Sequence, residues 1–302
     1  MLYGIIDVGS NSIRLCVYEA PVSGKSIVCV HDRKVMAGLA RYVDSSGVLS
    51  EVGISKAQQA ISELHEAAVE FGAVETHVFA TAVIRNVANA KVVAAAIERA
   101  CAVDIDVLTG KQEAYLGFVG AQRSVDAEEG VFFDIGGGST EVTHFRGGRP
   151  VYSESLPLGS LNMCVAHVKG TIPTAEEIDA IEGEVFDALE AIPQFQDIAY
   201  PEIYGVGGSV RAAAKLLQSA LVDGSGNDVT AREIEGSLDM VVRYPKDVLA
   251  RVSSILPDRV GTLFPGMAIQ EALLRWFGAD RVIMATSGVR EGYLRYVVLG
   301  QD

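Results

Sequence analysis

Short apolar runs rich in β-branched and aromatic residues stand at 3–8 (YGIIDV) and 13–19 (IRLCVYE), separated by GSNS. Runs of this kind bounded by turn residues read as strands joined by a tight turn. A third strand is expected at 26–31 (SIVCVH). Ile61, Leu64, Ala68 and Phe71 recur at spacings of three and four, which predicts a helix over 55–71. HVFAT (77–81) reads as a short buried strand, 87–102 as an alanine-rich helix, 104–110 as a strand ending on glycine, and 111–122 as a helix.

The pattern then begins again. GVFFDI (130–135) is a strand, GGGS a turn, TEVTHF (140–145) a second strand and PVYSESLPLG (150–159) a third. Helices are expected at 174–191 and 208–219 with the strand IYGVG (203–207) between them. The chain then reads as mostly helical to 277, with a strand at 281–285 and a last helix over 288–298. The two turns align as DVGSNSIRL (Asp7 to Leu15) and DIGGGSTEV (Asp134 to Val142). Such an internal repeat is the most informative feature of the chain. It predicts an α/β protein of two duplicated domains, with the two turns facing each other across an interdomain cleft. The polar stretch QRSVDAEE (122–129) places the boundary, giving domains 1–123 and 124–302. The last helix, from Gly288, is a candidate to pack back on the first domain.

Composition narrows the function. With 302 residues, 49% hydrophobic and 21% charged, the chain can bury two cores and is not disordered. No apolar run approaches the ~20 residues of a membrane-spanning helix, and MLYGIIDVGS has neither the basic start nor the cleavage site of a signal peptide. The net charge of −14 argues against nucleic acid as a partner. It leaves room for an anionic substrate held by local groups, because screening acts over ~8–10 Å. Cys16, Cys29, Cys101 and Cys164 have no metal-ligand spacing and read as small buried thiols, and together with the missing signal they point to the cytoplasm. The five histidines (His31, His65, His77, His144, His167) likewise read as structural.

A D-x-G-x-x-S turn between antiparallel strands gathers several backbone N–H groups. Glycine admits the positive φ that aims them at one point, so the turn can bind phosphate oxygens. One such turn alone is an ordinary hairpin. Two copies, each after an apolar strand ending in aspartate, favour a site.

This pair resembles the two phosphate loops of the superfamily of acetate kinase, sugar kinases, actin and heat-shock chaperones, whose domains are ribonuclease H-like (the actin-like ATPase fold). More closely, the chain resembles the exopolyphosphatase / guanosine pentaphosphatase family. The resemblance is carried by IIDVGSNSIRL (5–15), ATAVIRNVANA (80–90), LTGKQEAYLG (108–117), FDIGGGSTEV (133–142), SLPLG (155–159), GVGGSVRA (205–212) and SGVREGYL (287–294). It implies a first phosphate loop of Gly9, Ser10, Asn11, Ser12 and Arg14 after Asp7, and a second of Gly136, Gly137, Gly138 and Ser139. Asp134 and Glu141 would hold Mg²⁺ or Mn²⁺, Glu113 would prepare the attacking water, and Arg85 would contact phosphate. Gly207, Gly208 and Ser209 would open a helix whose N-terminus suits an anion. Taken without the resemblance, Glu113 is a carboxylate in a first helical turn, where acids are favoured anyway, and Arg85 is a surface charge.

The implied activity is metal-dependent release of terminal phosphate from inorganic polyphosphate. The alternative within the same chemistry is removal of the 5′-terminal phosphate of guanosine pentaphosphate. A superfamily kinase and a silent polyphosphate- or nucleotide-binding module are the other two readings. A homodimer is the open question of assembly. Arg33, Lys34 and Arg41 could line a channel for a long polyanion or be a solvated basic stretch. Gln112, Asn162, Gly261 and KVMAGLA (34–40) depart from the family pattern, in ways expected to touch substrate choice while leaving the chemistry intact.

Overall fold

The computed structural model describes residues 1–20, 27–219 and 228–301. The chain forms two compact units. One comprises Met1–Gly120 together with Val289–Asp302, the other Ala121–Gly288.

The first unit is built on a five-stranded sheet. Its strands are β1 (Leu2–Val8), β2 (Ile13–Glu19), β3 (Val28–Val35), β4 (Glu75–Ala80) and β5 (Ile105–Val107), in the order β3-β2-β1-β4-β5. β1, β2 and β3 are an antiparallel meander, while β4 and β5 add in parallel to β1. The register Asp7↔Arg14 and Ile6↔Leu15 sorts side chains strictly by face. Ile6, Val8, Ile13, Leu15 and Val17 meet the helices α1 (Glu51–Glu70) and α3 (Ala90–Cys101). Ile5, Cys16 and Tyr18 face the other way, against α4 (Gly110–Ala121) and the C-terminal segment.

Local chemistry adjusts the expected boundaries. α1 begins earlier than the apolar period suggests because the Ser50 hydroxyl accepts from Gly53 N–H and caps it. The helix expected from 87 starts at Ala90. Asn89 is diverted to hold Leu49, donating to its carbonyl and accepting from its N–H, each at 3.0 Å. A one-turn helix α2 (Ala82–Arg85) precedes it. Of the expected strand 26–31, Ser26 lies outside the described residues, and the observed strand runs on to Val35. β3 is an edge strand with little cover, so Cys29 on it is exposed, contrary to the expectation of four buried thiols. All four cysteines are free.

The second unit repeats the plan. β6 (Glu129–Ile135), β7 (Thr140–Arg146), β8 (Arg149–Leu156), β9 (Glu202–Val206), β10 (Asp228–Thr230) and β11 (Arg281–Met284) form a sheet of order β10-β11-β9-β6-β7-β8. β6, β7 and β8 are the antiparallel meander, and β9 and β11 the parallel additions. β10 is the one strand without a counterpart in the first unit, and it falls where only helix was expected. Three residues carry no readable period, and Thr230 also caps α8 (Ala231–Arg243) in a box with Glu233. The remaining helices are α5 (Ser160–His167), α6 (Ala175–Glu190), α7 (Gly207–Gln218), α9 (Pro245–Ile255) and α10 (Leu263–Trp276). A short α11 (Val289–Gly292) opens the C-terminal segment, which continues as a wider π-helical turn over Tyr293–Val298. Apart from β10, the two sheets share one strand order and one mixture of directions, and they are duplicated ribonuclease H-like domains, the actin-like ATPase fold.

Candidate active site

The two D-x-G turns are the same structure built twice. Gly9 N–H donates to the Ser12 carbonyl at 3.2 Å, and Gly136 N–H to the Ser139 carbonyl at 2.9 Å. In each loop the segment after the third strand then captures the loop carbonyls. Ala40 N–H donates to the Ser10 carbonyl at 3.1 Å and Gly38 N–H to that of Asn11 at 2.8 Å. In the second unit Ser160 N–H donates to Gly136 at 3.0 Å and Leu161 N–H to Gly137 at 2.9 Å, and the Asn162 amide donates to Gly138 at 3.0 Å.

The consequence follows from peptide geometry. In a trans peptide the C=O and N–H point in opposite directions. Fixing the carbonyls of Gly136, Gly137 and Gly138 on one side turns the N–H groups of Gly137, Gly138 and Ser139 to the other. None of these three has a hydrogen-bond acceptor among the described residues. In the first loop the same argument turns out the N–H groups of Asn11 and Ser12. Three convergent donors make an anion site.

The role expected of the glycines needs correction. None of Gly9, Gly136, Gly137 and Gly138 has positive φ. The close approach to the second loop is made by Gly159. A Cβ on Gly159, at the start of α5, would lie 2.4 Å from the Gly137 carbonyl carbon and the Gly138 nitrogen, both backbone atoms. Asn162, which departs from the family pattern, is what holds this contact. It accepts from Gly159 N–H at 2.6 Å and donates to the carbonyls of Gly138 and Pro157. The KVMAGLA stretch does the same work with backbone amides, where its side chains are not needed. Neither role is visible as a side-chain motif.

Asp134 and Glu141 are direct cross-strand partners and lie on one face of the second sheet. Glu141 is 3% exposed and accepts from Ser155 Oγ at 2.7 Å. Like charges directly opposite each other on neighbouring strands are destabilising without a cation. Asp134 also reaches the start of α7. Gly207 has φ 99°, and a Cβ there would stand 2.1 Å from Asp134 Oδ1. A carboxylate at this helix N-terminus suits the dipole. The Arg259 guanidinium packs over neighbouring Gly208. Among the described residues no group of three or more His, Cys, Asp or Glu side chains is placed to hold a metal. A pair suffices for Mg²⁺, which keeps several waters and takes one or two carboxylates plus substrate phosphates.

In the first unit, Glu113 sits in the opening turn of α4 and is 9% exposed. Arg85 donates to it at 2.5 Å and to the Leu108 carbonyl at 3.2 Å, so the arginine expected to contact phosphate holds the carboxylate expected to activate water. Gln112, standing for the usual glutamate, closes a capping box with Thr109, whose N–H it accepts at 2.8 Å. Arg14, opposite Asp7, is engaged through Nε and Nη2 by Asp32, which holds it protonated. Burial pushes the Asp7 carboxyl above its usual range, against the pull of Arg290 and then Arg14. Asp32, Ser155, Asn162 and Arg290 were not foreseen as site residues. Ser155 and Arg290 lay in quoted motifs, SLPLG and SGVREGYL.

Most of the remaining candidates are accounted for structurally. Arg33 pairs with Glu63, and Arg33 and Lys34 are exposed, as a solvated basic stretch would be. His77 pairs with Glu75, His167 with Glu184 and His144 with Tyr200, and His31 stacks on Phe71. Among the described residues no helix is long and apolar enough to cross a membrane.

The sequence profile of the Ppx/GppA phosphatase family matches residues 18–299. Exopolyphosphatase 1 of Mycobacterium tuberculosis is 26% identical, over 97% of this chain and 87% of that protein. The guanosine-5′-triphosphate,3′-diphosphate pyrophosphatase of Photobacterium profundum is 24% identical, over 96% of this chain and 58% of that protein. In structure, the Aquifex aeolicus member of the Ppx/GppA family superposes with a TM-score of 0.79 at 26% identity, covering 99% of this chain and 98% of that one. An exopolyphosphatase from Cytophaga hutchinsonii superposes with a TM-score of 0.84 at 18% identity over 100% and 99% of the two chains, a likeness of fold. The duplicated fold, the paired loops and these matches together make the chain a member of the Ppx/GppA phosphatase family, a phosphoanhydride hydrolase.

Proposed function

We propose that this chain releases terminal phosphate from inorganic polyphosphate, with guanosine pentaphosphate as the alternative substrate. The observation that carries the reading is the second loop. Gly137, Gly138 and Ser139 present three N–H groups to one side because Ser160, Leu161 and Asn162 hold the carbonyls on the other. Such donors neutralise phosphate oxygens without moving, which is where most catalysis of phosphoryl transfer arises.

In this reading Glu113, oriented by Arg85, accepts a proton from the water that attacks the terminal phosphorus. The P–O bond to the bridging oxygen breaks, and the shortened chain leaves as its phosphate. The first loop and Asp7 would bind substrate phosphate, and Gly207 to Ser209 supply a helix N-terminus for an anion. Asp134 and Glu141 would hold Mg²⁺ or Mn²⁺, which supplies charge neutralisation of the phosphates when bound. A cytoplasmic location, supported by four free thiols, belongs to the same reading. So does a homodimer, to be checked by light scattering.

The test is phosphate release from polyphosphate and from guanosine pentaphosphate, with Mg²⁺, with Mn²⁺ and with excess chelator. Release from one substrate or both, abolished by chelator, sustains the reading. Transfer to an acceptor, or binding of both substrates without turnover, overturns it.

A further inference from the structure

The strand register sets a row of three side chains beside each D-x-G turn. In the second unit the row is Asp134 on β6, Glu141 on β7 and Ser155 on β8. In the first it is Asp7 on β1, Arg14 on β2 and Lys34 on β3. The rows occupy the same place in the repeat and differ in charge. Arg14 and Lys34 give the first row its own counter-charge. In the second, two carboxylates stand side by side and the third residue is a neutral hydroxyl.

That hydroxyl is placed on a carboxylate. Ser155 Oγ donates to Glu141 Oε1 at 2.7 Å, and Glu141 is 3% exposed. Neighbouring contacts keep Ser155 opposite Glu141. In the next row on the same face, Thr143 Oγ1 and Ser153 Oγ share a hydrogen bond of 2.9 Å. The Thr140 hydroxyl donates to the Leu158 carbonyl, and Val142 and Leu156 are packed in the core on the opposite face. A serine shares a proton with the carboxylate without bringing a charge, and it leaves the other lone pairs open. A lysine at this position, as in the first row, would itself supply the positive charge.

We infer that Ser155 is a positioning residue for the divalent cation: it fixes Glu141 before the ion arrives, so that this carboxylate and Asp134 receive Mg²⁺ or Mn²⁺ together. The inference rests on the metal reading of Asp134 and Glu141 proposed above. Hydrogen bonds behind metal-binding carboxylates orient them and raise affinity for the ion.

The test needs no substrate. Mn²⁺ alone is titrated into the wild type, Ser155→Ala, Ser155→Thr and Glu141→Gln. Free Mn²⁺ is read by electron paramagnetic resonance, and folding by thermal melts. Removing such a partner costs ~10–100-fold in metal affinity. Ser155→Ala should therefore weaken Mn²⁺ binding at least about tenfold, and Ser155→Thr, which keeps the hydroxyl, should restore most of it. Equal losses in the two variants assign Ser155 to packing and overturn the inference. Wild-type affinity in Ser155→Ala beside a weakened Glu141→Gln also overturns it, whatever the melt shows, and leaves the metal reading standing. Equal Mn²⁺ binding by the wild type and Glu141→Gln ends the metal reading, and the inference with it. Should Ser155→Ala not fold, Ser155→Cys carries the comparison. Its thiol is a weaker donor, so binding should fall, and wild-type affinity would overturn the inference.

Discussion

Arg85 Nη1 lies 2.5 Å from Glu113 Oε2, joining the one-turn helix after β4 to the first turn of α4, with both side chains largely buried. The pair fixes the carboxylate before any substrate arrives. If Glu113 is the base, Glu113→Gln should lower kcat by roughly 10²–10⁴ with KM little changed. Steady-state phosphate release checks this, and an unchanged kcat in folded protein would remove the role. Arg85→Met strands the carboxylate and should reduce unfolding free energy by about 3 kcal/mol. Adding Glu113→Gln should recover part of that in urea melts.

Gly159→Ala tests the second loop without touching it. The new methyl group would meet backbone atoms at 2.4 Å, so the loop must shift. A well-folded variant with phosphate release down by at least about tenfold is expected, because small displacements of preorganised donors carry large losses. Far-ultraviolet dichroism and turnover, measured together, separate this from unfolding. Asn162→Ala loses three hydrogen bonds to the same contact and should destabilise by about 2–3 kcal/mol.

Gly207→Ala acts on Asp134. The site combines φ 99° with a Cβ position 2.1 Å from Oδ1, so the carboxylate must move. If Asp134 and Glu141 hold the metal, the Mg²⁺ concentration for half-maximal rate should rise several-fold, while the loop variant Gly159→Ala should leave it nearly unchanged. Equal Mg²⁺ dependence in wild type and Gly207→Ala would count against Asp134 as a ligand.

Stability should depend on pH through α6 and α10. Burial, then the neighbouring Glu182 charge, pushes the Glu271 carboxyl up to about 7, and protonated Glu271 donates a hydrogen bond to Glu182, which also accepts from Arg275 at 2.6 Å. A carboxyl raised on folding binds its proton more tightly in the native state. Its contribution is complete below the ordinary carboxylate range and is lost as pH rises through about 7. The urea midpoint should therefore fall between pH 5 and pH 8, and Glu271→Gln should flatten that fall. A variant with the wild-type slope would contradict the assignment.

Much of this was legible along the chain. The repeat DVGSNSIRL and DIGGGSTEV, with short apolar runs on either side of each turn, specifies a duplicated unit, because strand composition and a turn's residue preferences are local properties. Asp134 opposite Glu141 could be read as well, since a four-residue turn fixes the register of a hairpin. The tertiary structure alone decided how the loops are held. Carbonyl capture by Gly38, Ala40, Ser160 and Leu161 uses backbone amides, which every residue has and no motif displays. The backbone of the second loop is approached by Gly159, some twenty residues on, and none of its glycines has a positive φ. Arg14 finds Asp32 across two strands, and Arg85 finds Glu113. Pairings at such separation depend on which faces the packing of apolar side chains brings together, and that is a property of the folded whole.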